Sequence, residues 1–266
     1  MVPSIVVRQA VTSSVVREWG TVQRASVRVW LVATNQGATT PGVDLLQEDE
    51  RSECARFVNP RDRCTFAVTR VALRCLLGDE IGISPHDVRL VRNAWGKPLL
   101  AKSQYRPGFD FSVSHTGDLS VIAISSSGAV GVDIERRHRL SEMHRIAADV
   151  FDEQTASALY HLPPSNRDEA FLRLWTAGEA CLKALGLGFA GAGGQAPVGL
   201  SPQGSPEIRF DRCPVAADNE KWRLHSLDLP PDYVGTLVAQ NSASAAGFCA
   251  VQPNTDPPRI APVIYQ

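Results

Sequence analysis

The sequence predicts an α+β protein built from two similar-sized α/β lobes, and three observations carry that expectation. Apolar residues recur with strand period, then helix period, then strand period, and the same succession returns in the second half of the chain. Hydrophobic residues make up 44% of the 266 residues and charged residues 21%, a globular composition that argues against wholesale disorder. That length suits one large domain or two modest ones, with a core that needs neither disulfides nor a structural metal. No internal sequence repeat accompanies the succession.

Residues 1–24 read as a weakly structured lead-in. Residues 26–34 alternate toward a strand, and 35–44 are turn-rich and read as a loop. From Leu45 the period becomes helical, and 61–77 sets Phe66, Leu73, Leu76 and Leu77 among arginines as an amphipathic helix does. Residues 78–85 break that helix. A short strand at 88–91 turns out through WGKP. Strands at 109–114 and 120–125 flank HTGD. The second contains the unbroken apolar run VIAI, the mark of a central strand. A third strand spans 130–135. Helices follow at 141–147 and 153–160, then a long one from about 167 to 185 behind Pro163 and Pro164. Seven glycines between 186 and 204 predict a flexible loop, without any nucleotide-binding glycine fingerprint. Strands at 207–210, 222–228 and 233–239 precede a tail from 241 expected to be mobile.

Composition narrows the function classes. The formal net charge is -1, from 27 basic and 28 acidic residues, which does not suit a general nucleic-acid coat. No run approaches the length of a membrane span, and the N-terminus lacks the pattern of a secretory signal, so a cytoplasmic protein is expected. The six cysteines form no CxxC pair and read as small buried hydrophobes of a reducing compartment. The six histidines show no metal-ligand spacing.

Four features bear chemistry. In GVDIE, residues 131–135, Asp133 and Glu135 share a strand face while Val132 and Ile134 point into a core. Adjacent carboxylates repel unless a cation or solvent intervenes, and Mg2+ between them and a phosphate is one physical reason for the pattern. On the long helix, Glu179 and Lys183 lie one turn apart at the edge of an apolar stripe. In FSVSHTGD, Ser114 and His115 stand at a strand end as donors for a phosphate, not as a nucleophile pair. Finally, residues 51–106 hold eleven Lys or Arg and five Asp or Glu, a local formal charge of +6 that suits several phosphates. Taken singly, each feature also suits a plain structural role: a wet strand face, a surface ion pair, a turn histidine, a solvated helix.

In combination and in this order, WGKP, FSVSHTGDLSVIAISSSGAVGVDIE and WTAGEACLKALG resemble the signature blocks of the 4'-phosphopantetheinyl transferases. The similarity covers roughly residues 25–240 and is nearest to the longer, fused-lobe group typified by the surfactin-synthetase activator. The resemblance implies a pseudo-twofold pair of lobes, 25–128 and 129–240, with coenzyme A in the cleft between them. It implies Mg2+ on Asp133, Glu135 and Glu179, with Glu179 also as candidate base and Lys183 beside the transferred phosphate. It assigns Lys97, Ser114 and His115 to coenzyme A, and puts cations for the 3'-phosphate near Arg51, Arg56 and Arg63. The implied partner is an acyl, peptidyl or aryl carrier protein, and the implied state a monomer. One departure stands out: Gly178 replaces the lysine that usually precedes the helix glutamate. Two other readings of the same residues are a Mg2+-dependent nucleotide-pyrophosphate hydrolase and a silent carrier-binding module.

Overall fold

The computed structural model describes residues 7–9, 27–34, 42–201, 204–209 and 222–240. The expected tail from 241, nearly all of the lead-in 1–24, most of the 35–44 loop, Phe210, Cys213 and Cys249 lie outside them.

The first lobe comprises β1 (Val7–Gln9), β2 (Val27–Ala33), α1 (Glu48–Arg56), α2 (Pro60–Ile81), β3 (Leu90–Arg92), β4 (Pro98–Leu100), β5 (Asp110–Thr116) and β6 (Leu119–Ser125). The second comprises β7 (Val130–Arg136), α3 (Met143–Val150), α4 (Glu153–His161), α5 (Pro164–Leu185), β8 (Val198–Leu200), β9 (Pro206–Ile208), β10 (Trp222–Ser226) and β11 (Tyr233–Gln240). The elements correspond in order. β2, α2, the β3–β4 hairpin, β5 and β6 match β7, α5, the β8–β9 hairpin, β10 and β11. Both long helices have 22 residues. The first sheet runs β1-β2-β6-β5 and the second β10-β11-β7, with antiparallel neighbours throughout. Setting aside the extra edge strand β1, both sheets place the first strand beside the last and the last beside the middle one. The fold is thus two similar α/β lobes in a pseudo-twofold arrangement.

Local chemistry sets the helix ends. The Asn59 side chain accepts from the Arg61 amide ahead of α2, Pro60 opens that helix, and Gly82 closes it with φ 71°. Pro164 and Gly186 bracket α5 in the same way. The α2 residues Val68, Leu73 and Leu77 pack on Val32, Ile122 and Ile124 of the first sheet. The α5 residues Phe171, Leu174 and Ala177 build a second core with Val234 and Val238. A third core lies between the sheets, where Val29, Val121 and Ala123 meet Val130, Val132, Ile134 and Leu237. β6 therefore has both faces covered, which explains its unbroken apolar run.

Two segments differ from the sequence expectation. Val7–Gln9, inside the expected lead-in, forms β1 and pairs with β2 from Val7 opposite Val32 to Gln9 opposite Trp30. The glycine-rich segment is structured over residues 186–201: it holds a 3-10 turn at Phe189–Ala192 and strand β8, and it buries Ala192, Ala196 and Val198. Its small residues let the chain run close against α5. Among the described residues no helix is long and apolar enough to cross a membrane, and Cys54 and Cys75 are free thiols.

Candidate active site

The site is built on the seam between the lobes, where the edge strands β5 and β7 face each other. Asp110, Ser112 and Ser114 lie two residues apart and so share one face of β5. Each accepts a β7 amide: Val130 N–H on Asp110 Oδ2 at 2.9 Å, Val132 N–H on Ser112 Oγ at 3.1 Å, and Ile134 N–H on Ser114 Oγ at 3.3 Å. Side chains take the place of a backbone ladder, so the β7 edge is left without orphan donors at these positions. They also hold β7, and the acids it carries, against the first lobe.

The other constraint on β7 comes from α5. Gly131 faces the helix, and a Cβ there would overlap the Ala180 carbonyl oxygen and the Ala184 amide nitrogen. Only glycine permits this approach of strand to helix, which brings Glu179 and Lys183 over Asp133 and Glu135. Lys183 turns its ammonium to Asp133, with Nζ 2.7 Å from Oδ1. The same oxygen accepts the Ser114 hydroxyl at 2.7 Å. Thr116 Oγ1 donates to Glu135 Oε2 at 3.2 Å.

These acids carry an electrostatic load. Asp133 is 5% exposed, and its Oδ2 is buried with no hydrogen-bond partner among the described residues. Burial, and then the neighbouring Asp133 charge, push both Glu135 and Glu179 above the ordinary carboxylate range. Crowding by protein atoms, followed by the Lys183 and Arg70 cations, holds His115 below the usual imidazole value, although much of its surface is still open to solvent. Among the described residues, no three His, Cys, Asp or Glu side chains are gathered into a closed metal cage. The donor set still suits Mg2+, which is commonly held by one or two carboxylates with water and substrate phosphates completing the shell. The orphan Asp133 oxygen beside two carboxylates of raised pKa is the observation behind that fit.

The remaining sequence candidates are dispersed. Ser114 donates its proton to Asp133 Oδ1 and so orients the acid. Lys97 donates to Asp110 Oδ2 at 2.6 Å and to the Val130 carbonyl at 3.3 Å, with a side chain only 10% exposed. Here it staples the WGKP turn to the start of β7. Arg51 pairs with Glu48, Arg63 donates to the Phe57 carbonyl, and Arg56 stays exposed on α1. Much of the local +6 is thus engaged within the lobe. Residues that sequence reasoning passed over include Asp110 and Thr116, whose signal is the polar alternation of DFSVSHT. Arg70 and Arg74 belong to the basic stretch counted in the sequence. They stand one turn apart in the apolar stripe of α2, and charges in such a stripe call for partners.

With this geometry in place, sequence comparisons identify the family. The 4'-phosphopantetheinyl transferase N-terminal family matches residues 35–127, and the 4'-phosphopantetheinyl transferase superfamily matches residues 129–238. The chain is 30% identical over 207 residues to a putative 4'-phosphopantetheinyl transferase of Synechocystis sp., covering 77% of this chain and 81% of that protein. It is 32% identical over 145 residues to the 4'-phosphopantetheinyl transferase HetI of Nostoc sp., covering 54% and 61%. Against the human L-aminoadipate-semialdehyde dehydrogenase-phosphopantetheinyl transferase it is 30% identical over 152 residues, covering 54% of this chain and about half, 49%, of the relative. Two consecutive family matches on two lobes of corresponding topology establish that the chain belongs to the 4'-phosphopantetheinyl transferase superfamily, with the fused two-domain architecture.

Proposed function

We propose that the protein transfers the 4'-phosphopantetheine group of coenzyme A to a serine of an acyl, peptidyl or aryl carrier protein and releases adenosine 3',5'-bisphosphate. The observation that carries this reading is the loaded acid cluster on the lobe seam. A buried aspartate, clamped by Ser114 and Lys183, stands beside two glutamates of raised pKa. Such a cluster suits a site that holds a divalent cation against phosphates and takes up a proton.

The carrier serine oxygen attacks the β-phosphorus of the pyrophosphate. The new phosphorus–oxygen bond forms as the bond to the leaving bisphosphate breaks. Glu179, on the helix face beside Asp133 and Glu135, takes the serine proton. Lys183 sits within one side-chain length of the acids and offsets charge on the transferred group. Asp133 and Glu135, with Glu179, would hold Mg2+, which supplies Lewis-acid polarisation of the pyrophosphate oxygens when bound. His115, at the end of β5 beside Lys183 and Arg70, offers a further donor to the donor substrate's phosphates. Phosphoryl-type transfer asks mainly for alignment and charge neutralisation, which these residues supply.

The lobe limits 25–128 and 129–240 belong to the same reading, supported by family matches that meet between residues 127 and 129. The order of WGKP, FSVSHTGD, GVDIE and WTAGEACLKALG supports the surfactin-synthetase activator type as the nearest group. Free thiols at Cys54 and Cys75 suit a reducing, cytoplasmic setting. A monomer completes the reading, since both lobes of the site come from one chain.

The test is release of adenosine 3',5'-bisphosphate from coenzyme A with Mg2+, with and without apo-carrier proteins. Release that requires a carrier supports transfer. Equal release without one would make the protein a hydrolase.

A further inference from the structure

The turn at residues 93–97, between β3 and β4, grips the second lobe through two polar side chains. Asn93 Oδ1 accepts the Trp95 and Lys97 amides, both at 2.9 Å, and the Asn93 amide closes the turn on the Lys97 carbonyl at 3.0 Å. Two amide donors on one atom mark it as the oxygen, so the other is Nδ2. The direction of Nδ2 is then fixed, and it donates to the Gly186 carbonyl at 2.7 Å. Gly186 caps α5 with φ 71°. The second side chain is Lys97, whose ammonium reaches the Val130 carbonyl at the start of β7.

Both contacts fall at one end of the second lobe, because Gly131 near the start of β7 faces Ala180 and Ala184 near the end of α5. The turn therefore holds the helix that carries Lys183 and the strand that carries Asp133. Carbonyls in the last turn of a helix lack the amide four residues on, and that turn frays unless something ties it down. The Gly186 amide returns to the Lys183 carbonyl at 3.1 Å and the Leu187 amide to that of Leu182 at 2.8 Å. Asn93 ties this cap to the first lobe. Lys183 stands in the tied turn and sets its Nζ 2.7 Å from Asp133 Oδ1, while its side chain is still 28% exposed. A long, half-open side chain keeps one geometry only if its backbone is held.

We propose that Asn93 is a positioning residue that acts across the lobes through Lys183. Its side-chain amide holds the end of α5 so that the Lys183 ammonium stays on Asp133 and beside the transferred phosphate. Asn93 uses its amide group on the turn and on Gly186, so its effect reaches the reaction only through α5. The kinetic arm of the test rests on the transfer reading, and the labelling arm does not.

The variant is Asn93→Asp in the full chain, which keeps an acceptor for the two turn amides and sets an oxygen against the Gly186 carbonyl. Asn93→Ser is its uncharged counterpart: the hydroxyl still accepts turn amides but falls short of Gly186. In transfer to a carrier protein, either substitution should lower kcat about tenfold and leave KM for coenzyme A within about twofold. In a Lys183→Ala background the same substitution should change kcat by less than about twofold. The second readout is the rate at which acetic anhydride labels each lysine, followed by mass spectrometry, with the exposed Lys102 as reference. Either substitution should speed labelling of Lys183 about threefold or more and leave the buried Lys97 as slow as before. Equal kcat losses in both backgrounds, a raised KM at unchanged kcat, unchanged labelling of Lys183, or labelling of Lys97 that rises with it would overturn the role of Asn93 and leave the transfer reading standing. If the natural protein transfers nothing, the transfer reading falls and labelling alone decides on Asn93. Faster Lys183 with slow Lys97 then supports the role, and any other pattern overturns it.

Discussion

Ser114 donates its hydroxyl proton to Asp133 Oδ1 at 2.7 Å, across the seam between the lobes. Because the same oxygen atom of Ser114 accepts the Ile134 amide, one side chain sets both the backbone and the carboxylate of the acid strand. Ser114→Ala should lower kcat by about tenfold and leave KM for coenzyme A near its natural value, since the loss falls on the orientation of an acid. Ser114→Thr, which keeps the hydroxyl, should recover part of kcat. A raised KM with unchanged kcat would instead put Ser114 on the donor's phosphate.

Lys97 provides a similar contrast between motif and geometry. Its ammonium is paired with Asp110, and both side chains are largely buried. Lys97→Met should destabilise the fold by about 3 kcal/mol, because it strands the Asp110 charge. Adding Asp110→Asn should restore part of that stability. Denaturant unfolding of the two variants reads the effect. Unchanged stability combined with lost coenzyme A binding would return Lys97 to the phosphates.

Gly178 lies in the buried face of α5, where a Cβ would sit 2.7 Å from the Ala196 Cβ. In a free helix, Gly→Ala would stabilise by about 1 kcal/mol. Here two short side chains collide, and overpacking of that kind costs about 1–3 kcal/mol. The collision wins, so Gly178→Ala should lower the melting temperature and Gly178→Lys should lower it more. Ala196→Gly in the Gly178→Ala background should recover stability. Gly131→Ala should be more damaging still, since its obstacle is helix backbone.

The raised pKa values of Glu135 and Glu179 have a signed consequence for stability. Each acid titrates higher in the folded protein than in the unfolded chain. Its favourable protonated state is therefore intact below the ordinary glutamate range, and stability is lost as pH rises through the folded value. Without divalent ions, Glu179→Gln should therefore be more stable than the natural protein at neutral pH. The gap should close as pH falls below the ordinary glutamate range. Mg2+ should raise the melting temperature of the natural protein more than that of Asp133→Asn. Thermal unfolding across pH, with chelator and with Mg2+, measures both effects.

Strand and helix periodicity was enough to locate most elements, because both lobes place one apolar face on a core. VIAI at 121–124 is legible as a doubly covered strand for the same reason. The alternation in GVDIE separates Val132 and Ile134 from Asp133 and Glu135, and the structure keeps that division. What composition hides is close approach. The glycines of 186–204 look like freedom, yet Ala196 and Val198 pack against α5 because Gly178 leaves room. Long-range partners are equally invisible to period. Nothing local to Lys97 says that Asp110 will hold it, and nothing local to Arg92 says that Glu53 will.

The most direct measurement is the mass of an apo-carrier protein after incubation with the natural protein, coenzyme A and Mg2+. The account predicts that one serine gains one phosphopantetheinyl group, that chelation of divalent ions abolishes the gain, and that Asp133→Asn nearly abolishes it. No mass change across well-folded acyl, peptidyl and aryl carriers, with coenzyme A shown to bind, would contradict the transfer assignment.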